Sequence, residues 1–265
     1  MQYNERPGGS DRYVPQKQQN FSEKILDKFY MLSDILYPPV CPVCKRPLLF
    51  RQGGGLIHPS CYARLHKAVP PLCMKCGKPL KDARQEYCYD CSRHRHSFES
   101  GHGLWVYDKI SSEIVFLYKY GGKRELSVFF ASALAQEYGA WIRQIHPDIL
   151  VPVPLSREKM RSRGFNQAEL IARRLGDEMG IECESRALVR VKSTIPQKSL
   201  DPGKRQENIR KAFSADPAYL KGVKRVLLID DIYTTGATIQ YCSRALRAAA
   251  GARVWFLTLC IGAPF

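Results

Sequence analysis

Four pairs of metal-binding side chains, each pair separated by two residues, constrain the fold of this chain more than any other feature. The pairs are Cys41 and Cys44, His58 and Cys61, Cys73 and Cys76, and Cys88 and Cys91. Two intervening residues let a tight turn present both side chains to one ion at about 2.0–2.3 Å, and two such turns complete the tetrahedron that zinc prefers. The pattern therefore predicts two Zn²⁺ sites. Because a closed tetrahedron leaves no open position, both ions are expected to be structural.

The spacing leaves the combination of the four pairs open. Sequential pairing gives one ion to the first two pairs and the other ion to the last two, whereas interleaved pairing alternates them. We favour sequential pairing because it closes shorter loops at a smaller entropic cost. So short a module buries too little apolar surface to be stable alone, so we expect removal of zinc to unfold it.

The rest of the chain favours metal over disulfides. The first twenty residues are polar and contain no apolar core of a secretory signal, and no apolar run reaches the about 20 residues of a transmembrane segment. We therefore expect a cytoplasmic protein, with the inner face of the membrane as an alternative place, and thiols in that compartment stay reduced.

The formal net charge of +16 favours polyanionic partners such as phosphates or nucleic acid.

Composition divides the chain into four segments. Residues 1–19 are polar with Gly and Pro, which predicts a disordered tail. Residues 20–38 repeat apolar side chains at helical spacing, and this helix either contacts a membrane or partner or, as we favour, caps the next module. The cysteine pairs define a zinc module at 39–98, and residues 99–265 form a further domain.

The further domain alternates strand and helix patterns. Strands are predicted at 148–154, 187–191, 226–230 and 254–260, and helices at 166–179, at 237–250 and, in a short form, after Pro202. Strands separated by helices pair in parallel through right-handed crossovers. The predicted fold class is therefore α/β, with a parallel sheet flanked by helices behind an N-terminal zinc module.

The stretch LLIDDIYTTGAT, residues 227–238, combines a strand end, two carboxylates and a loop that enters a helix. Backbone N–H groups at a helix N-terminus attract anions, and a glycine lets the backbone approach a phosphate closely. Asp230 and Asp231 repel a phosphate but suit a sugar diol or a divalent cation. Together these features predict a site for a ribose 5-phosphate at the carboxyl edge of the sheet.

A cluster of cations follows the strand at 148–154. Arg157, Lys159, Arg161 and Arg163 lie within seven residues of one another. Alone, such a cluster is usually a solvated surface; beside the predicted loop it suits a pyrophosphate group.

The chain resembles the ComF family, which joins a double zinc ribbon to a type I phosphoribosyltransferase domain. The motifs that carry the resemblance, in chain order, are PPVCPVC, YKYGGKREL, VPVPLSREKMRSRGFNQAELIA, the stretch from Gln197 to Asn208 and LLIDDIYTTGAT. The family is associated with natural competence, the import of single-stranded DNA by bacteria. His58 stands where a cysteine is commoner, and imidazole also binds zinc.

The resemblance implies roles for the predicted site residues. Asp230 and Asp231 would bind the ribose hydroxyls of phosphoribosyl pyrophosphate (PRPP) and Mg²⁺, and would stabilise positive charge on the ring if the domain is catalytic. The residues implied in binding the 5-phosphate are Thr234, Thr235, Gly236, Ala237 and Thr238, and those implied in binding pyrophosphate are Leu155, Arg157, Lys159, Arg161 and Arg163. Residues 197–208 would form a lid over the site.

Three functions remain open from the sequence. The chain is a PRPP-binding protein that holds single-stranded DNA, a phosphoribosyltransferase with an unidentified acceptor, or a scaffold for competence proteins such as a helicase or DNA-processing proteins. Cations of the zinc module, among them Lys78 and Arg93, together with Tyr87 and Tyr89, suit single-stranded DNA. A solvated basic face around a structural metal is the competing interpretation of those residues.

Overall fold

A computed structural model describes residues 38–48, 56–191 and 212–263. The predicted tail, nearly all of the predicted N-terminal helix, the short helix after Pro202 and the predicted lid lie outside the described residues.

The N-terminal module contains two ribbons built in the same way. In each ribbon an isolated antiparallel bridge flanks the first ligand pair: Val40 bridges Pro47, and Leu72 bridges Pro79. The second ligand pair of each ribbon lies at the start of a short helix. These helices are α1 (Pro59–Tyr62) and α2 (Tyr89–Arg93). The module is therefore a tandem repeat of one structural unit, a zinc ribbon.

The turn after each first pair requires a left-handed backbone. The residue that follows the pair is Lys45, with φ of 61°, in the first ribbon and Gly77, with φ of 74°, in the second. A Cβ on Gly77 would lie 2.6 Å from the carbonyl oxygen of Gly101. The second ribbon therefore needs glycine, because its turn packs directly against the first strand of the sheet.

The C-terminal domain is a five-stranded parallel sheet in the order β1-β7-β6-β2-β3. Its strands are β1 (Gly101–Val106), β2 (Ile149–Pro152), β3 (Glu182–Cys183), β6 (Arg225–Tyr233) and β7 (Arg253–Ile261). Strands β4 (Leu188–Arg190) and β5 (Phe213–Ala215) form a separate antiparallel pair. The helices are α3 (Lys109–Tyr120), α4 (Leu126–Ile145), α5 (Arg157–Arg163), α6 (Gln167–Met179) and α7 (Ala237–Ala250), with a 3₁₀ helix at Pro217–Leu220. The α/β class with a parallel sheet is confirmed.

The two faces of the sheet bury different apolar clusters, because successive side chains of a strand point to opposite faces. On one face Leu227 and Ile229 pack with residues of α3, α4 and α6. On the other face Val226 and Leu228 pack with residues of α7. The first ribbon contributes to the former cluster and the second ribbon to the latter, so each ribbon extends one side of the core.

Most predicted elements of this domain are confirmed, with two differences. Helix α7 has the predicted bounds, and α6 begins after its cap at Asn166 and ends before Gly180, which has the left-handed conformation. The strand predicted at 187–191 pairs with β5 outside the main sheet, and the strand predicted at 226–230 continues to Tyr233. No helix within the described ranges is both long and apolar enough to cross a membrane.

Candidate functional site

Each ribbon gathers four ligand side chains. The first cluster is Cys41, Cys44, His58 and Cys61, and the second cluster is Cys73, Cys76, Cys88 and Cys91; within each, the ligand atoms lie within 4.8 Å of one another. These sets follow the sequential pairing. His58 presents its Nδ1 atom, 3.3 Å from Cys44 Sγ, so the histidine joins the cluster as predicted. Three thiolates with one imidazole, or four thiolates, are ligand sets that fit zinc. Either set fills all four positions of the tetrahedron, so no coordination position remains open.

The two adjacent carboxylates lie at the carboxyl end of β6 with different partners. The Lys119 Nζ atom donates to Asp231 Oδ2 at 2.8 Å, and both side chains are largely buried, with 14% and 16% exposed. Asp230 Oδ1 accepts a hydrogen bond from the backbone N–H of Asp231 at 2.8 Å. Asp231 is thus neutralised by an ion pair, whereas the bond to Asp230 comes from an uncharged group.

The surroundings of Asp230 favour its protonated form. Burial, followed by the negative charge of Asp231, raises the pKa of Asp230 to about 7, and the positive charges of Lys119 and Lys159 oppose the shift. Arg190, at the end of β4, lies near enough to feel the charge of Asp230, although burial lowers its own pKa. At neutral pH this carboxyl therefore titrates, which an ordinary aspartate does not do.

The loop after β6 turns into α7 at a glycine. Gly236 is the N-cap residue with φ of 79°, and no side chain caps the first N–H groups of the helix. A Cβ at this position would lie 2.4 Å from the Tyr233 hydroxyl, so the turn excludes every larger residue. Thr234 and Thr235 are exposed, and Ala237 and Thr238 are partly buried. Free N–H groups and exposed hydroxyls give the loop several donors that can face an anion.

The predicted cation cluster lies beside this loop, because β2 is the neighbour of β6 in the sheet. Leu155 is partly buried in the connection that leads to Ser156, whose hydroxyl caps α5 by accepting from the N–H of Lys159. Arg157, Lys159 and Arg161 reach solvent. Burial lowers the pKa of Lys159, and so do the positive charges of Arg163, Arg190 and Lys119. Several cationic side chains therefore surround this lysine.

Arg163 is already engaged by its own protein. Its guanidinium donates to Tyr120 Oη and to Gln167 Oε1, both at 2.9 Å, and it lies 4.9 Å from the centroid of the Tyr120 ring. It joins α3, α5 and α6 in this structure.

The segment RGFNQ, for which the sequence offered no role, forms the joint between α5 and α6. Gly164 ends α5 in the left-handed conformation, with φ of 73°. The side-chain oxygen of Asn166 caps α6. The amide nitrogen of the same side chain donates a hydrogen bond of 3.1 Å to the carbonyl oxygen of Val153. Its amide group thus fixes α6 to the backbone that follows β2 and orients both helices at the edge of the sheet.

Sequence reasoning missed two cations of the site. Lys119 lies inside the motif YKYGGKREL, to which the sequence assigns no role, and Arg190 lies in the strand predicted at 187–191. A lysine flanked by tyrosines on an otherwise amphipathic helix was an available signal for Lys119. No local signal distinguishes Arg190, because its position comes from the pairing of β4 with β5.

The fold and the clusters define a class of protein: a double zinc ribbon joined to a parallel α/β domain. Comparison with protein-family models supports the first half of this description, since residues 32–92 match the double zinc ribbon domain. The match contains all eight ligand positions.

Comparison with known proteins identifies relatives over most of the chain. Competence protein ComFC of Bacillus subtilis is 29% identical over 202 residues, which cover 71% of this chain and 76% of that protein. Competence protein F of Haemophilus influenzae is 29% identical over 67% of this chain and 79% of its own length. DNA utilization protein YhgH of Salmonella typhimurium is 28% identical over 83% of this chain and 96% of its own length. The chain is therefore homologous to these competence and DNA utilization proteins, which agrees with the resemblance that the motifs predicted.

Proposed function

We propose that the edge of the sheet formed by the loops after β2 and β6 binds PRPP together with Mg²⁺. The observation that carries the proposal is the uncapped N-terminus of α7 at Gly236, directly after two carboxylates. An anion site beside acceptors for hydroxyl groups is the combination that a ribose 5-phosphate requires. Neither the anion site alone nor the carboxylates alone would select a sugar phosphate.

Each part of the ligand has a chemically suited partner. The N–H groups at the start of α7 and the hydroxyls of Thr234, Thr235 and Thr238 suit the 5-phosphate. Asp230 and Asp231 suit the ribose hydroxyls and would hold Mg²⁺, which prefers oxygen ligands and would neutralise charge on the pyrophosphate. Arg157, Lys159 and Arg161 suit the pyrophosphate itself. Lys119 neutralises Asp231 in the ion pair that the structure shows.

We further propose that the protein binds single-stranded DNA through a basic surface and supports DNA uptake. Tyr87 and Tyr89 are 45% and 66% exposed, and the Arg93 guanidinium lies 4.1 Å from the Tyr89 ring centroid, which suits base stacking. Lys78, by contrast, is 3% exposed and forms an ion pair with Asp90. We therefore do not include Lys78 in the proposed DNA-binding surface. The names of the relatives, competence proteins and DNA utilization proteins, agree with this role.

Calorimetry with PRPP in the presence of Mg²⁺ tests the ligand. We expect saturable binding by the wild-type protein and its loss in the double variant Asp230→Asn, Asp231→Asn. The matched control is Asp177→Asn, Glu178→Gln, which makes the same change of charge at exposed positions of α6. Equal affinities in both double variants would refute the site. Release of pyrophosphate during the titration would identify the protein as a phosphoribosyltransferase rather than a binding protein.

A salt titration tests the DNA proposal. Affinity for single-stranded DNA should fall steeply with salt, because phosphate contacts release counterions, and Tyr89→Ala should weaken binding by about 1–3 kcal/mol through lost stacking. The double variant at Asp230 and Asp231 should bind DNA as the wild type does. A flat salt response would remove the electrostatic basis of the proposal, and equal loss of PRPP and DNA binding in the double variant would refute separate sites.

A further inference from the structure

Tyr233, the last residue of β6, connects the loop of the candidate site to the zinc module. Its side chain is 2% exposed, and its ring stacks on Phe256 with centroids 4.7 Å apart and an interplanar angle of 5°. Phe98 meets the same ring edge-on at 6.4 Å. The ring is therefore fixed on the face of the sheet that carries the second ribbon. Its hydroxyl is buried and has no hydrogen-bond partner in the described structure.

On one side the Tyr233 hydroxyl supports the turn into α7. The oxygen lies 2.4 Å from the place that a Cβ on Gly236 would occupy. The backbone of Tyr233 is also held, since its carbonyl oxygen accepts from the N–H of Gly262 at 2.8 Å. A movement of this ring would therefore move the turn at which the helix N–H groups become available.

On the other side the second ribbon encloses the same ring. The Lys78 Nζ atom lies 5.8 Å from the ring centroid and 2.9 Å from Asp90 Oδ2, and Asp90 lies between the ligands Cys88 and Cys91. Cys76 belongs to the apolar cluster that contains Tyr233. The buried, unpartnered hydroxyl of Tyr233 and the thiol of Cys76 thus belong to one apolar cluster beside the second ribbon.

We propose that the Tyr233 hydroxyl donates a hydrogen bond to the zinc-bound thiolate of Cys76, and that Tyr233 thereby positions the turn at Gly236 on the second ribbon. Hydrogen bonds to metal ligands orient the ligands and strengthen metal binding. Tyr233 is then a positioning residue for both sites. The second cluster becomes part of the phosphate loop's support, whereas the first cluster packs on the opposite face of the sheet.

The first test compares Tyr233→Phe with Tyr138→Phe. Each variant removes one hydroxyl and keeps the ring; Tyr138 donates to the carbonyl oxygen of Gly103 at 2.9 Å and packs against the apolar cluster that contains the first ribbon. Zinc release to a chelating dye is followed for both ions. We expect Tyr233→Phe to release one of the two ions about 10-fold faster, and Tyr138→Phe to release both as the wild type does. Wild-type release from Tyr233→Phe would overturn the hydrogen bond.

The second test measures hydrogen exchange of the backbone amides at 234–238 without any ligand. We expect faster exchange in Tyr233→Phe and in Cys91→Ser, which disrupts the second cluster, and wild-type exchange in Cys44→Ser, which disrupts the first. If Cys91→Ser does not fold, Tyr233→Phe still decides the result. Equal exchange in Tyr233→Phe and the wild type would overturn the positioning role.

The inference rests on the proposed function only for the identity of the ligand that uses the loop. Both tests are free of ligand, so a wild-type protein that fails to bind PRPP would refute the proposed function and leave these results standing. If PRPP does bind, Tyr233→Phe should lower its affinity more than Tyr138→Phe does. An unchanged affinity together with faster exchange would show that the turn tolerates the loosened support, and would overturn the positioning role for ligand binding.

Discussion

Asp230 and Asp231 are neighbours in the chain but have different electrostatic surroundings. Successive side chains of a strand point to opposite faces of the sheet, so Asp231 forms an ion pair with Lys119 of α3, whereas Asp230 lies near Arg190. The charges of Lys119 and Lys159 also act on Asp230. Asp231 has an ion-pair partner at hydrogen-bond distance, the Lys119 ammonium group. The raised pKa of Asp230, about 7, follows from burial beside a second carboxylate.

This raised pKa predicts a dependence of stability on pH. The folded protein holds the Asp230 proton more tightly than the unfolded chain, whose aspartates titrate near pH 4. The stability due to this proton is complete below about pH 4 and is lost as the pH rises through about 7. Asp230→Asn mimics the protonated form, so we expect it to raise the Tm at pH 8 by roughly 2–4 °C.

Thermal unfolding at several pH values without ligand measures the effect. The gain of Asp230→Asn over the wild type should shrink as the pH falls from 8 to 5. Asp177→Asn, at an exposed position of α6, serves as the control and should show no such trend. A gain that is the same at pH 5 and pH 8 would contradict the raised pKa.

At the scale of the element, α7 begins and ends at glycines that both have a left-handed backbone conformation. The space around the two glycines differs. Gly236 has φ of 79° and Gly251 has φ of 64°. A Cβ at Gly236 would collide with the Tyr233 hydroxyl, while a Cβ at Gly251 would meet nothing within 4 Å. The helix C-terminus thus needs glycine for its backbone alone, and the N-terminus needs it for backbone and space.

Alanine substitutions separate the two requirements. Gly251→Ala should cost about 1–2 kcal/mol, because an L-residue is strained in the left-handed region. Gly236→Ala should cost about 1–3 kcal/mol more, because overpacking adds to the strain. Urea unfolding of both variants gives the difference, and equal losses of unfolding free energy would show that Tyr233 moves aside without cost.

At the scale of the whole molecule, the zinc module and the sheet share their core. The backbone N–H of Val106 donates to His66 O at 2.8 Å, and the N–H of Gly101 donates to Lys75 O at 3.1 Å. Trp105, 2% exposed, meets Tyr62 of the first ribbon edge-on at 6.4 Å. We therefore expect metal binding in the ribbons to stabilise the sheet as well as the module.

Metal analysis of the purified protein should find two zinc ions per chain, and one in Cys44→Ser. Removal of both ions with a strong chelator should abolish the near-UV circular dichroism signal of the module and lower the Tm of the whole chain, because folding of such modules is coupled to metal binding. Addition of zinc, but not of magnesium, should restore both. A chelated protein with the Tm of the zinc-loaded form would contradict a shared core.

Much of the fold was predictable because its signals are local. The spacing of the ligand pairs identified both clusters, and the apolar run from Val226 followed by TTGAT identified a strand, a loop and the bounds of α7. The long helix α4 was not predicted, although Leu126, Phe130 and Leu134 recur at a spacing of four. The extension of β6 to Tyr233 was missed as well, because two aspartates are unfavourable in a strand unless the site uses them.

The sequence by itself determined the metal-binding pattern, the α/β class and the positions of the acidic pair and the glycine turn, since each depends on residues a few positions apart. The tertiary structure decided which cations face the carboxylates and which ribbon supports the loop. Lys119 reaches Asp231, and Lys78 reaches Tyr233, only because crossover connections and the two-sided core bring together segments far apart in the chain. Such contacts depend on how the faces of the sheet are covered, which no local spacing of residues encodes.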